Sequence, residues 1–153
     1  MRTIEGWVEG PLRGFVDDAA PRLTLIMTGS GQVVAQHGFA RSLDVMSAAA
    51  LGAGIMASSQ ELTVLMGWPQ FRILVHQGMR QSHLLAQIPM PRANWIGLVV
   101  FGTETKLGVV QFFFERMVEQ LAAAAPVAEP PRQVLAIDFE RELNASLRTL
   151  FGR

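Results

Sequence analysis

The sequence predicts a single α+β domain in which an antiparallel sheet is covered by helices on both faces. Three observations carry that prediction. Short β-rich runs occur in two pairs, each joined at glycine, at Gly29-Ser30-Gly31 and at Gly78, and such hairpins make antiparallel ladders. A long stretch of helical character separates the pairs. A further run, Trp95–Phe101 (WIGLVVF), is apolar without alternation, as a strand buried on both faces would be.

The elements follow in order. Residues 4–16 place Ile4, Trp7, Val8, Leu12, Phe15 and Val16 at helical spacing, although Gly6, Gly10, Gly14 and Pro11 oppose a helix there. Arg22–Thr28 (RLTLIMT) and Gln32–Gln36 (QVVAQ) read as the first hairpin. His37–Leu43 is a loop, after which Asp44 is placed to cap a helix running to about Met66. Gly67-Trp68-Pro69 ends it. Phe71–Gln77 (FRILVHQ) alternates and turns at Gly78 into Ser82–Ile88, and Pro89-Met90-Pro91 separates that hairpin from 95–101. A helix over Lys106–Ala125 carries Leu107, Val110, Phe114, Met117 and Leu121 in one stripe. The order is helix, two strands, helix, three strands, helix, giving five strands within residues 1–125. Residues 126–137, with Pro126, Pro130 and Pro131, form a stiff linker. Residues 138–153 hold a C-terminal amphipathic helix striped by Phe139, Leu143, Leu147, Leu150 and Phe151, with Asp138 as its cap.

Composition narrows the function classes. At 153 residues the chain has one domain's length, and it has no cysteine, so disulfides, thiolate metal sites and a cysteine nucleophile are excluded. The thirteen basic and thirteen acidic side chains balance, with no basic run of the kind that binds nucleic acid. The N-terminus lacks the apolar core of a signal peptide, and the expected location is cytoplasmic. Only 17% of residues are charged, against a usual share of about 25%. The shortage is local: Arg92 is the one formal charge from Gln81 to Thr103, and Asp44 and Glu61 are the two from Asp44 to Met66. Such a stretch hides apolar surface against a partner. Val45–Gln60 is uncharged but too short and too interrupted by Ser47, Ser58 and Ser59 to span a bilayer, which takes roughly 20 apolar residues.

A search for chemistry returns little. There is no Gly-Lys pair to make a phosphate-binding loop. Leu51-Gly52-Ala53-Gly54 resembles half a dinucleotide fingerprint but lies inside a predicted helix, where close packing explains it better. His37, His76 and His83 have no second ligand at metal spacing. Ser30 sits in a strand-to-strand turn, not on a hydrolase elbow, and paired carboxylates are missing from the apolar middle. The expectation is a protein with no catalytic residues, no metal and no cofactor.

The helix 44–66 carries most of the information. At about 100° per residue, Leu51, Ile55, Ser58 and Leu62 fall on one face, expected on the sheet. Met46, Ala49, Ala53, Ala57, Gln60 and Val64 fall opposite, small and apolar where Lys and Glu are usual. Small residues admit a second backbone closely. The expected use is contact with another molecule, with Glu61 at its rim; the alternative is cover from the N- or C-terminal segment of the same chain.

With these elements the chain resembles the Roadblock/dynein light-chain family. The resemblance runs over roughly residues 20–125, from Leu23-Thr24-Leu25-Ile26-Met27 through the small-residue helix to Trp95–Phe101 and Leu107-Gly108. It is most similar to the MglB branch, in Ala53-Gly54, Gly67 with Phe71, Val75-His76-Gln77-Gly78 and the terminal Ile137–Glu142 leading into Leu147–Phe151. The resemblance implies a three-layer α-β-α sandwich with a five-stranded antiparallel sheet of profilin-like shape. It implies a homodimer joined through the helix and the 71–77 strand, with Met46, Val64, Phe71, Ile73 and Val75 at the interface. It also implies a platform for a Ras-like, MglA-like GTPase at Ala49, Ala50, Ala53, Ala57, Gln60 and Glu61. Such a protein stimulates GTP hydrolysis without a catalytic residue of its own, by repositioning the GTPase's switch residues, in prokaryotic cell polarity and motility. A dimeric scaffold that binds without changing turnover is the alternative, and a ligand-sensing domain a third class.

Overall fold

A computed structural model describes residues 1–39, 41–126, 141 and 143–150. Its elements are β1 (Arg2–Thr3), α1 (Gly6–Ala19), β2 (Leu23–Thr28), β3 (Val33–His37), α2 (Ser42–Met66), β4 (Ile73–Gln77), β5 (Gln81–Ile88), β6 (Trp95–Gly102) and α3 (Leu107–Ala124). The strands form one antiparallel sheet in the order β1-β3-β2-β6-β5-β4. The sixth strand is the one departure from the expected five. β1 pairs Arg2 with Gln36 and Thr3 with Ala35, and two residues are too few to show a period in sequence.

Helices cover both faces. On one side α1 packs against α3, and the two bury Val8, Leu12, Phe15, Val110, Phe114, Met117 and Leu121 against Ile26, Leu84, Ala86, Ile88, Val99 and Phe101. On the other, α2 covers Leu25, Met27, Leu85 and Ile96. The central strands therefore feed two cores by strict alternation, Leu25 and Met27 to one side and Ile26 to the other. The unbroken apolar run of β6 has the same cause.

Three local outcomes show packing and propensity in competition. α1 forms despite Pro11 and its glycines. Burial of Val8, Leu12 and Phe15 contributes about 1.5–3 kcal/mol each, enough to offset an interior proline at about 3 kcal/mol. The helix stops at Ala20, which takes a left-handed conformation (φ 47°) before Pro21. The expected cap at Asp44 is not made. The helix starts at Ser42 with Arg41 as its extended N-cap residue, and Asp44 instead takes a two-pronged contact from the Arg41 guanidinium at 2.9 and 3.0 Å. At the far end Gly67 (φ 68°) and Trp68 donate to the Val64 and Thr63 carbonyls, closing the helix where Gly67 was expected to.

Gly97 in β6 sets the distance between sheet and α3. A Cβ there would lie 2.7 Å from the Phe114 ring and 3.2 Å from Ile88. Of the linker 126–137, only Pro126 lies within the described residues. In the terminal segment residues 143–150 are helical with Leu143, Leu147 and Leu150 exposed; Asp138, Phe139 and Phe151 lie outside the described residues.

Two substitutions separate these roles. Gly97→Ala is expected to destabilise by about 1–3 kcal/mol through overpacking against Phe114. Gly10→Ala, on the exposed side of α1 with nothing within 4 Å of the added Cβ, is expected to stabilise by about 0.5–1 kcal/mol. Urea unfolding of the two variants checks both signs.

Candidate docking surface

α2 is apolar all the way round rather than along one stripe, the pattern of a helix covered on more than one side. Among the described residues only one side is covered. Val45, Ala49, Gly52, Ala53, Met56 and Thr63 face the sheet, with Ser59 and Gln60 half-buried beside them. This reverses the expected orientation: Leu51 and Leu62, assigned to the sheet from sequence, are 69% and 54% exposed, and Ile55 and Ser58 are exposed with them. The reason is distance. A Cβ on Gly52 would sit 3.1 Å from the Met27 methyl, and a Cβ on Gly31 would lie 3.4 Å from the Ala49 carbonyl oxygen and the Ala53 methyl. The small residues are used to bring helix and sheet together, so the large ones are turned outward. The packing role read for Gly52 holds; nothing lies within 4 Å of a Cβ on Gly54.

The outward surface is accordingly rich in large apolar side chains. Met46, Leu51, Leu62, Val64, Leu65 and Met66 are all exposed, Leu65 at 82%, and Trp68 follows the helix end. Sequence reasoning missed Leu65, Met66 and Trp68; their signal was a helix with no polar face. A soluble surface rarely gathers this many large apolar residues without a partner.

The residues expected to form the GTPase platform divide accordingly. Ala50, Ala57 and Glu61 are exposed and Gln60 is half-buried, so these four stand on accessible surface. Ala49, at 0% exposure, and Ala53 are consumed by the sheet contact and present no side chain to a partner.

Beyond the helix lies β4, the last strand of the sheet, paired with β5 on one side only among the described residues. Six residues connect it to the end of α2. Ile73 and Val75 are half-buried against the α1–α3 core, and Phe71 and Leu74 against the α2 core. Of the residues expected at a dimer interface, Met46 and Val64 are exposed on α2, and Phe71, Ile73 and Val75 lie at this edge. An edge strand with apolar side chains and free backbone groups is a template for another strand.

The edge carries one polar pair. His76 and His83 face each other across β4 and β5, with His76 Nδ1 and His83 Nε2 2.7 Å apart. The partner of the His76 ring is thus another side chain across the strand pair. The His83 pKa lies below 6.5, first through burial and second through the neighbouring His76 ring. Among the described residues no group of three or more His, Cys, Asp or Glu could hold a metal, and no helix is long and apolar enough to cross a membrane.

This architecture has counterparts among solved structures. The MglB of Myxococcus xanthus superposes with a TM-score of 0.70 at 22% identity, over 78% of this chain and 95% of that one. This is a Roadblock fold, close to that of MglB. The Thermus thermophilus gliding protein MglB matches at 0.68 and 26% identity, over 80% of this chain and 90% of its own. A Roadblock/LC7 domain from Streptomyces avermitilis matches at 0.64 and 16% identity, over 71% and 89%. No family model matches the sequence, and no curated protein matches it.

The lowered His83 pKa has a direction in pH. Between pH 6.5 and the lower folded value the unfolded chain binds the extra proton, so stability falls as pH drops through that window and is level above it. The urea midpoint is expected to decline as the pH drops below about 7. The decline should be smaller in His83→Gln; an equal decline would assign it elsewhere.

Proposed function

We propose that this chain is a homodimeric regulator that docks a Ras-like GTPase and stimulates its GTP hydrolysis. The observation that carries the reading is α2: an all-round apolar helix of which the described residues cover one side. Its similarity to MglB structures, one of them a gliding protein by name, supports the same reading, with a cytoplasmic role in polarity or motility.

Two surfaces share the work. Self-association uses the β4 edge with Phe71, Ile73 and Val75, continued by Met46, Val64, Leu65 and their exposed neighbours on α2. Strand pairing there would satisfy backbone groups and bury large side chains at about 25 cal/mol per Å². The GTPase docks over Ala50, Ala57, Gln60 and Glu61, where short side chains let a second protein approach the helix backbone. Ala49 and Ala53 contribute by setting the depth of α2 rather than by contact. Stimulation acts through the GTPase's own switch residues, displaced on docking.

Leu65→Glu tests the first surface. Sedimentation is expected to shift from dimer to monomer while circular dichroism is unchanged; a persistent dimer would move the interface elsewhere. Single-turnover GTP hydrolysis by a Ras-like GTPase of the same organism tests the second. Stoichiometric addition of the chain should raise the rate many-fold, and Ala57→Arg, at an exposed site, should return it to the basal value with stability within about 0.5 kcal/mol. Binding without acceleration would make the protein a scaffold instead.

A further inference from the structure

The turn at Gly78 folds two of the chain's three histidines onto one another. His76 in β4 and His83 in β5 are directly opposite in the ladder and stand on the same face of the sheet, as cross-strand partners do. In sequence they match no linear metal motif; the antiparallel register makes them neighbours. His76 Nδ1 and His83 Nε2 lie 2.7 Å apart, with the ring planes at 76° and the ring centroids 4.6 Å from each other. His76 is exposed and His83 half-buried, so the pair opens to solvent beside the edge strand.

With both rings neutral, one nitrogen of such a pair donates its N–H and the other accepts. The same two nitrogens suit a divalent transition ion. An ion bound at about 2.0–2.1 Å to two adjacent imidazole nitrogens holds them about 3 Å apart. The present spacing therefore has to open only slightly, and the exposed His76 ring is free of the core in doing so. For both nitrogens to ligate, the donating ring must carry its proton on its other nitrogen. One proton leaves the shared nitrogen for solvent and one is taken up at the far nitrogen, so both rings ligate as neutral imidazoles. Gln81, two residues from His83 on the same face, accepts from Arg22 Nη1 at 3.2 Å, and that guanidinium is paired with Glu104. The Arg22 charge is thus compensated and does not stand unopposed against a bound ion.

We infer that His76 and His83 form a two-histidine chelate for a divalent transition-metal ion, with water in the remaining coordination positions. The donors set the ion class. Imidazole nitrogen selects Cu²⁺, Ni²⁺ or Zn²⁺ over Mg²⁺ and Ca²⁺, which take oxygen, and Cu²⁺ should bind most tightly. The chain has no cysteine to compete for such ions. Its third histidine, His37, lies in β3, with β2 and β6 between it and β5. Two protein ligands make this an exchangeable site, unlike the four-ligand sites that hold structural zinc. Once bound, the ion ties β4 to β5 by a link additional to the ladder. The chelate stands on the hairpin geometry and is independent of the docking surface proposed above.

The test titrates the full chain with CuCl₂, NiCl₂ and ZnCl₂ by calorimetry in a non-chelating buffer just above neutral pH, beside thermal unfolding with and without each ion. One ion per chain is expected, Cu²⁺ more tightly than Zn²⁺, with a rise in Tm because the folded hairpin alone presents both rings together. His76→Gln and His83→Gln should each weaken binding tenfold or more and abolish the rise in Tm. His37→Gln should leave the affinity within twofold of wild type, and MgCl₂ should give no shift. Because His76 is exposed, its substitution keeps the test decisive even if the His83 variant fails to fold. Absence of binding with all three ions overturns the inference, as does binding that survives His76→Gln. One ion per two chains, with self-association rising as metal is added, would place the ion between copies and overturn the chelate within one chain.

Discussion

The close seating of α2 on the sheet is the constraint from which the rest of this surface follows. Alanine and glycine at 49, 52 and 53 let the helix descend until the space for a Cβ on Gly52 is filled by the Met27 thioether. A helix seated on its small residues must turn its large ones elsewhere. Leu51, Leu62 and Leu65 therefore face solvent in the single chain, not because they are polar enough to do so but because the sheet contact has used the opposite side. The exposed apolar surface is thus a geometric consequence of the packing beneath it. In the proposed assembly the same geometry turns one helix into a contact on two sides.

The opposite face of the sheet is built on other terms. There α1 and α3 bring large residues, with Phe15 and Phe114 edge to face at 6.0 Å and Trp7 stacked on Trp95 at 5.5 Å. Space is made on the strand instead, at Gly97. Bulk from the helices meets a glycine in the sheet on one side, and bulk from the sheet meets glycine and alanine in the helix on the other. The α1–α3 face buries the larger of the two cores. That division leaves the outward side of α2 and the β4 edge outside both cores among the described residues.

Polar groups are sparse near the docking surface, so the few present acquire weight. The His76–His83 pair marks the open edge of the sheet, and burial with the neighbouring ring lowers the His83 pKa. The Gln87 amide lies at the other end of the α2 face, where β5 ends and β6 begins. Both sit on strands held by backbone ladders, so their positions survive whether or not a partner is present. Preformed geometry of this kind lowers the ordering cost of association.

The fold was legible in the sequence because its signals are local. Glycine turns at 29–31 and 78, the unalternating run 95–101 and the stripe of α3 each report their own element, and the resemblance to Roadblock proteins assembled them in the right order. α1 was legible only through Val8, Leu12 and Phe15, against the local propensity of Pro11 and the glycines. The candidate surface was half legible: the sequence showed that α2 lacks a polar face, which is a property of composition. It could not show which side meets the sheet, because with apolar residues all round no stripe outweighs another. Tertiary structure made that choice through close packing, placing Ala49 and Ala53 beneath the helix and leaving Ala57 on its rim. It also made β1, since two residues have no period to read, and it brought Gln87 beside Gln60 and Asn94, which are distant in sequence. What the chain by itself determined was the set of elements and the shortage of charge; what folding decided was which apolar side chains are spent inside and which remain for a partner.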